Sequence, residues 1–116
     1  MILVYVAGPY TAESIWERAE NIREAQLVGA HILAEDVCPI VPHELGHLIA
    51  DQQPPEYWYR ATMALLLRCD AVVLTPRWRV SHGAVLERER ALKIGMPVFD
   101  CVDRFEVWAA ARRTHD

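Results

Sequence analysis

Cysteine is scarce and scattered. Cys38, Cys69 and Cys101 are an odd number with no C-x-x-C pair among them, which gives no sign of a disulfide scaffold, redox work or a zinc knuckle. Buried, reduced thiols in a cytoplasmic protein are the plain expectation. Long apolar runs are missing too. No window reaches the about 20 apolar residues of a bilayer span, so no membrane partner is expected. Met1–Ala7 meets Gly8-Pro9 with no basic flank and is expected to be a strand rather than a signal peptide. There is no long Lys/Arg run, and 12 Lys+Arg stand against 16 Asp+Glu for a net charge of −4. That leaves no electrostatic footprint for a nucleic-acid backbone, and polymeric nucleic acid is not an expected partner. The G-x-G-x-x-G and G-x-x-x-x-G-K-[ST] phosphate loops are absent, so dinucleotide and nucleoside-triphosphate binding lose their usual support and no cofactor is expected.

What is present is an ordinary globular balance over 116 residues, 53% hydrophobic and 24% charged. One domain, residues 1–116, is expected, able to bury about two-thirds of its unfolded surface. The runs 2–7, 37–41, 70–74 and 97–99 are short and apolar, as in strands buried on both faces of a parallel sheet. Between them the pattern turns helical. Ser14-x-x-Glu17 reads as a capping box opening a helix to about Glu35, with Ile15, Ala19, Ile22, Gly29 and Ile32 as its apolar stripe. Helices are also expected over 56–68, over 81–94 with Gly95 as the stop, and over 105–113. The segment 43–55 is polar and turn-rich, with room for a short helix near 44–49. Strands alternating with helices predict an α/β fold: an open, mainly parallel sheet of four to five strands with helices on both faces, Rossmann-like or flavodoxin-like.

Such sheets bind ligands outside the carboxyl ends of their strands. That places Gly8, Pro9, Tyr10 and Thr11, then His43 and Glu44, then Thr75-Pro76-Arg77-Trp78 with Ser81-His82-Gly83, and finally Asp100 and Asp103, on one rim. Ser81 is placed to cap the helix it opens; the free N–H groups there would also receive an anion. Glu87 falls with Ala84, Ala91 and Ile94 on the arc facing the sheet. It either pairs with an arginine such as Arg88 or is presented as a covalent nucleophile. Trp78 is either a stacking wall for a planar ligand or core filling. Tyr5 is a buried strand residue whose phenol can reach a rim carboxylate, and Trp58, Thr62 and Leu65 read as packing.

His43-Glu44-Leu45-Gly46-His47 spells H-E-x-x-H, the signature of a zinc hydrolase whose two histidines share a helix face. The chemistry also needs a third protein ligand and an open position for water. Pro39 and Pro42 upstream, Gly46 within and no evident third ligand make a loop with a chance match the preferred reading, so no metal is expected. A zinc hydrolase on His43, Glu44 and His47 stays as an alternative.

Tyr5-Val6-Ala7-Gly8-Pro9-Tyr10-Thr11, and Cys69–Leu74 followed by Pro76, Trp78, Ser81-x-Gly83-Ala84-x-x-Glu87, Ala91, Gly95 and Pro97-Val98, resemble the nucleoside 2-deoxyribosyltransferase-like superfamily. The likeness runs from Met1 to about Asp100 and is nearest to small bacterial and phage members of unknown function. It implies that Glu87 is the nucleophile attacking C1′ of a ribose or deoxyribose, with a glycosyl-enzyme ester resolved by water or a second base. Tyr5 then resembles the tyrosine that orients it, and His43 a base-contacting residue. Ser81, six residues before Glu87, matches the serine of relatives that hydrolyse nucleoside 5′-monophosphates.

Gly8, Pro9, Tyr10, His43, Trp78, Ser81 and Gly83 complete the implied binding site for a small-molecule nucleoside or nucleotide, in a homo-oligomer. Two positions depart from the pattern. Thr62 stands where these enzymes carry an aspartate, eight residues before Asp70, and a threonine hydroxyl has no pKa suited to protonating a leaving base. Pro9, Tyr10 and Thr11 replace the serine-and-arginine cluster of the monophosphate hydrolases. A nucleotide-binding module without turnover is therefore a further alternative.

Overall fold

The computed structural model describes residues 1–45 and 49–115, with side chains through Arg113. Four parallel strands, β1 (Ile2–Ala7), β2 (Val37–Ile40), β3 (Ala71–Leu74) and β4 (Val98–Phe99), form one sheet in the order β2-β1-β3-β4. Four helices connect or follow them: α1 (Ile15–Ile32), α2 (Pro55–Leu66), α3 (His82–Lys93) and α4 (Val102–His115). This is an open α/β sheet of the Rossmann or flavodoxin type. No helix among the described residues is long and apolar enough to cross a membrane.

The pleat of β1 sorts the core. Ile2, Val4 and Val6 pack with Ala25, Val28, Ile32, Phe105 and Ala109 of α1 and α4. Tyr5 and Ala7, pointing the other way, pack with Leu66 of α2 and Ala84 and Ala91 of α3. Both faces are covered, so the strands read as continuous apolar runs with no alternation to expose. The chain crosses from β1 to β2 on one side and later enters β3 on the other, so the switch point lies between β1 and β3. The ends of those two strands meet at Gly8. A Cβ there would fall inside the Thr75 side chain, and only glycine allows that approach.

Local signals set most element ends. The Ser14 side chain accepts from the Glu17 N–H at 3.1 Å, Pro55 occupies the first turn of α2, and Gly95 supplies the positive φ of 79° that ends α3. Helix α1 stops at Ile32, short of the expected Glu35, because Ala34 and Val37 exchange backbone hydrogen bonds in a tight turn into β2. Its buried stripe is Asn21, Ala25, Val28, Gly29 and Ile32, whereas Ile15 is 82% exposed. The segment after β2 holds single 3₁₀ turns at Pro42–Glu44 and Ala50–Gln52. Helix α4 begins three residues earlier than expected. Of the cysteines, Cys69 is buried, its thiol pushed up to about 11 by desolvation, but Cys101 is exposed, contrary to the expectation of three buried thiols.

Candidate active site

A cleft of about 1380 Å³ opens at the carboxyl ends of β1 and β3, bounded by the first loop, the start of α1, α2 and the start of α3. Glu87 lies at its floor, backed by a buried side chain 82 residues away. Tyr5 points from β1 toward α3, where Glu87 sits one turn after Ala84, and the Tyr5 hydroxyl donates to Glu87 Oε2. Both are buried, Glu87 to 8% exposure. Burial lifts the Glu87 carboxyl from 4.5 to about 7, against the opposing effect of the Tyr5 hydrogen bond. Burial also drives the Tyr5 phenol far above its ordinary range, and the neighbouring Glu87 charge adds to this. Tyr5 is thus the fixed donor, and Glu87 the group that changes charge near neutrality. No arginine takes the Glu87 carboxylate: the Arg88 guanidinium lies over the Trp78 ring, 4.9 Å from its centroid.

Gly8, Pro9 and Tyr10 form one wall, and His43 lies behind them, 5% exposed. His43 Nε2 is 3.1 Å from the Gly8 carbonyl oxygen. A carbonyl only accepts, so Nε2 carries the proton and donates. Burial lowers the His43 pKa, which keeps the ring neutral at physiological pH and leaves Nδ1 a bare acceptor without a partner. Neutral and with its one N–H committed, His43 has no proton to give a leaving group.

On the opposite side Ser81 caps α3, its Oγ accepting from the Ala84 N–H at 3.1 Å, with Gly83 in the same turn. Thr62 comes in from α2, its hydroxyl donating to the Tyr59 carbonyl at 3.2 Å. Above the floor, Arg77 binds Asn21 Oδ1 through Nη2 at 2.7 Å and Glu24 Oε2 through Nε at 3.0 Å. Asn21 Nδ2 in turn reaches the Tyr10 carbonyl at 3.3 Å.

The cleft therefore gathers Glu87 at its floor, with Tyr5 buried behind it, and Gly8, Pro9, Tyr10, His43, Ser81 and Gly83 around it. Trp78 is the exception. It is 9% exposed, packs with Leu74 and Ala84, and carries the guanidiniums of Arg79 and Arg88 on its ring. The 3₁₀ turn Trp78–Val80 rotates the indole into the core and away from the cleft, so it is no stacking wall. The aromatic lining comes instead from Tyr10, Trp16, Trp58 and Tyr59. Trp58, read from sequence as packing, is held by an Nε1 hydrogen bond to the Ala50 carbonyl at 2.8 Å.

Asn21 and Glu24 were not read as cleft residues, and Arg77 was placed on the rim without a role. Asn21 carried a usable signal, as a polar residue on the stripe Asn21-Ala25-Val28-Ile32 that α1 buries. In the H-E-x-x-H segment, His43 and Glu44 share a single 3₁₀ turn rather than an α-helix, and Glu44 accepts from Gln26 at 2.8 Å. His47 lies outside the described residues.

Comparison with curated proteins and with solved structures finds no match. A family model does match, over residues 2–100, a span holding every residue of the cleft described above. The chain belongs to that family, the domain of unknown function DUF4406.

Proposed function

We propose that this chain cleaves or transfers the N-glycosidic bond of a nucleoside or nucleoside 5′-monophosphate through a covalent glutamyl-glycosyl intermediate, as in the superfamily it resembles. The observation that carries the reading is Glu87 lining a cleft at the sheet's switch point, its carboxylate held from behind by the buried Tyr5 hydroxyl. A carboxylate poised near neutral pH, oriented by a donor that never ionises, is suited to nucleophilic attack on a sugar carbon. Glu87 Oε would bond to C1′ as the C1′–N bond breaks, and the base would leave with that electron pair and take up a proton. Water or a second base would then attack C1′ and free the carboxylate, with net retention.

The proton for the departing base would come from solvent or from a partner subunit, since neither Thr62 nor His43 can supply it. The resemblance also implies a homo-oligomer, checked by light scattering. The chemical test is incubation with a panel of nucleosides and 5′-monophosphates, with and without a second free base, following base release by chromatography. Release that disappears in Glu87→Ala is the expected result. Release unaffected by that substitution would overturn the role of Glu87. Thr62 in place of an acid favours a second reading, a nucleotide-binding module without turnover. Its mark would be ligands that raise the melting temperature while no base appears.

A further inference from the structure

The balance of charge around the cleft bears on whether the ligand carries a phosphate. Among the described residues the carboxylates of Glu17, Glu20, Glu24, Asp51 and Glu87 line it, against the guanidiniums of Arg18 and Arg77. One of those two cations is already engaged. Arg77 donates through Nε and its backbone N–H to the two oxygens of Glu24, at 3.0 and 3.4 Å, and through Nη2 to Asn21 at 2.7 Å. Asn21 is 5% exposed and is itself anchored to the Tyr10 carbonyl. The guanidinium is therefore partnered on both sides, and an incoming anion would have to compete with Glu24 for it. Arg18 lies over the Tyr10 ring, 5.5 Å from its centroid, on the exposed first turns of α1.

A 5′-phosphate brings about two negative charges at neutral pH. To pair with Arg77 it would have to displace Glu24, leaving that carboxylate unpaired beside the phosphate. A like-charge contact of that kind is a rejecting element. At the start of α3, Ser81 Oγ accepts from Ala84, and the Ser81 O–H and first helical N–H groups remain as donors to an anion, but these neutral groups leave the Glu24 charge unpaired.

We propose that the site selects unphosphorylated nucleosides, and that Glu24 is the specificity-determining residue that turns a 5′-phosphate away by occupying Arg77. This rests on the nucleoside reading of the cleft and goes against the monophosphate that Ser81 alone would suggest. The resident Glu24–Arg77 pair, being partly exposed, contributes little to stability, so removing it separates specificity from folding.

The test is calorimetric binding of each common nucleoside and its 5′-monophosphate to Glu87→Gln, which retains a partner for Tyr5 but consumes neither ligand. Inorganic phosphate is titrated alongside. The expected result is a nucleoside bound about tenfold or more tighter than its monophosphate, a difference of the size that one unfavourable charge contact imposes. Adding Glu24→Gln should raise monophosphate affinity about tenfold and narrow its gap to the nucleoside. Equal or tighter monophosphate binding before Glu24 is changed would overturn the proposal while leaving the nucleoside site standing. Monophosphate affinity indifferent to Glu24→Gln would overturn the role of Glu24. Binding of neither ligand would remove the nucleoside reading itself and this proposal with it. Circular dichroism of each variant confirms that it is folded.

Discussion

At the scale of single residues, the pair Tyr5–Glu87 sets the pH behaviour expected of any reaction here. Attack on C1′ requires Glu87 ionised, and burial holds its pKa at about 7, so kcat/KM should rise with pH to a plateau with a midpoint near 7. The Tyr5 hydroxyl donates to the charged form and so lowers that pKa. Tyr5→Phe removes the donor, and the midpoint should move upward by about one to two pH units, the equivalent of one hydrogen bond to a charged group. A midpoint that fell or stayed would mean that Glu87 is not the titrating group.

Trp78 shows where a residue's place in sequence misleads. It follows a strand end, yet a 3₁₀ turn folds it inward beneath two guanidiniums. Trp58 shows the reverse. Its helix buries only Leu66 completely, so a large aromatic two turns earlier is left free to line the cleft.

At the scale of elements, two glycines near the cleft should respond oppositely to the same change. At Gly8 a Cβ would fall inside Thr75, between two strand ends that the sheet holds in register. Gly8→Ala should cost about 2 kcal/mol in chemical denaturation, as overpacking of a close contact does. At Gly83, in the first turn of α3, an added Cβ would meet only Ser81 Oγ at 3.9 Å. Gly83→Ala should stabilise by up to about 1 kcal/mol through helix propensity. Ser81→Ala should cost about 1 kcal/mol by removing the cap on Ala84.

These elements were legible because their signals are local. Continuous apolar runs gave the four strands, and Ser81 to Gly95 framed α3, which put Glu87 on the sheet-facing arc. The face of helix α1 was legible at its end, where Gly29 and Ile32 are buried as expected, but not at its start. Ile15 and Ala19 look like the start of a stripe, yet the first turns of α1 stand beside the cleft, and Ile15 and Trp16 are exposed. The segment 43–55 has no periodicity to read, because tertiary contacts such as His43 to Gly8 and Trp58 to Ala50 organise what is described of it.

At the scale of the whole molecule, the parallel order β2-β1-β3-β4 opens the crevice between β1 and β3, and the price is a carboxylate desolvated in the interior. Its signature is a pH-dependent stability whose sign can be worked out. In the unfolded chain Glu87 loses its proton near 4.5, but in the folded protein it keeps it to about 7. Between those values the folded state binds more protons, so stability contributed at Glu87 is greatest below 4.5, falls as pH rises and levels off above 7. The gap corresponds to about 3 kcal/mol.

His43 acts with the opposite slope. Its folded pKa is depressed by burial, so its contribution is present above 6.5 and is lost as pH falls through the folded value. The two effects oppose each other in the mildly acidic range, so the overall profile does not isolate either. Comparison with Glu87→Gln does, because His43 is common to both proteins and cancels. The unfolding free energy of the parent minus that of Glu87→Gln, from denaturant titrations at fixed pH, should decline by about 3 kcal/mol between pH 4.5 and 7 and stay level above. A difference that rose with pH would mean that the carboxylate is stabilised by a positive partner in the folded state. It would then be ionised throughout, and the midpoint near 7 expected of the reaction would have no source in Glu87.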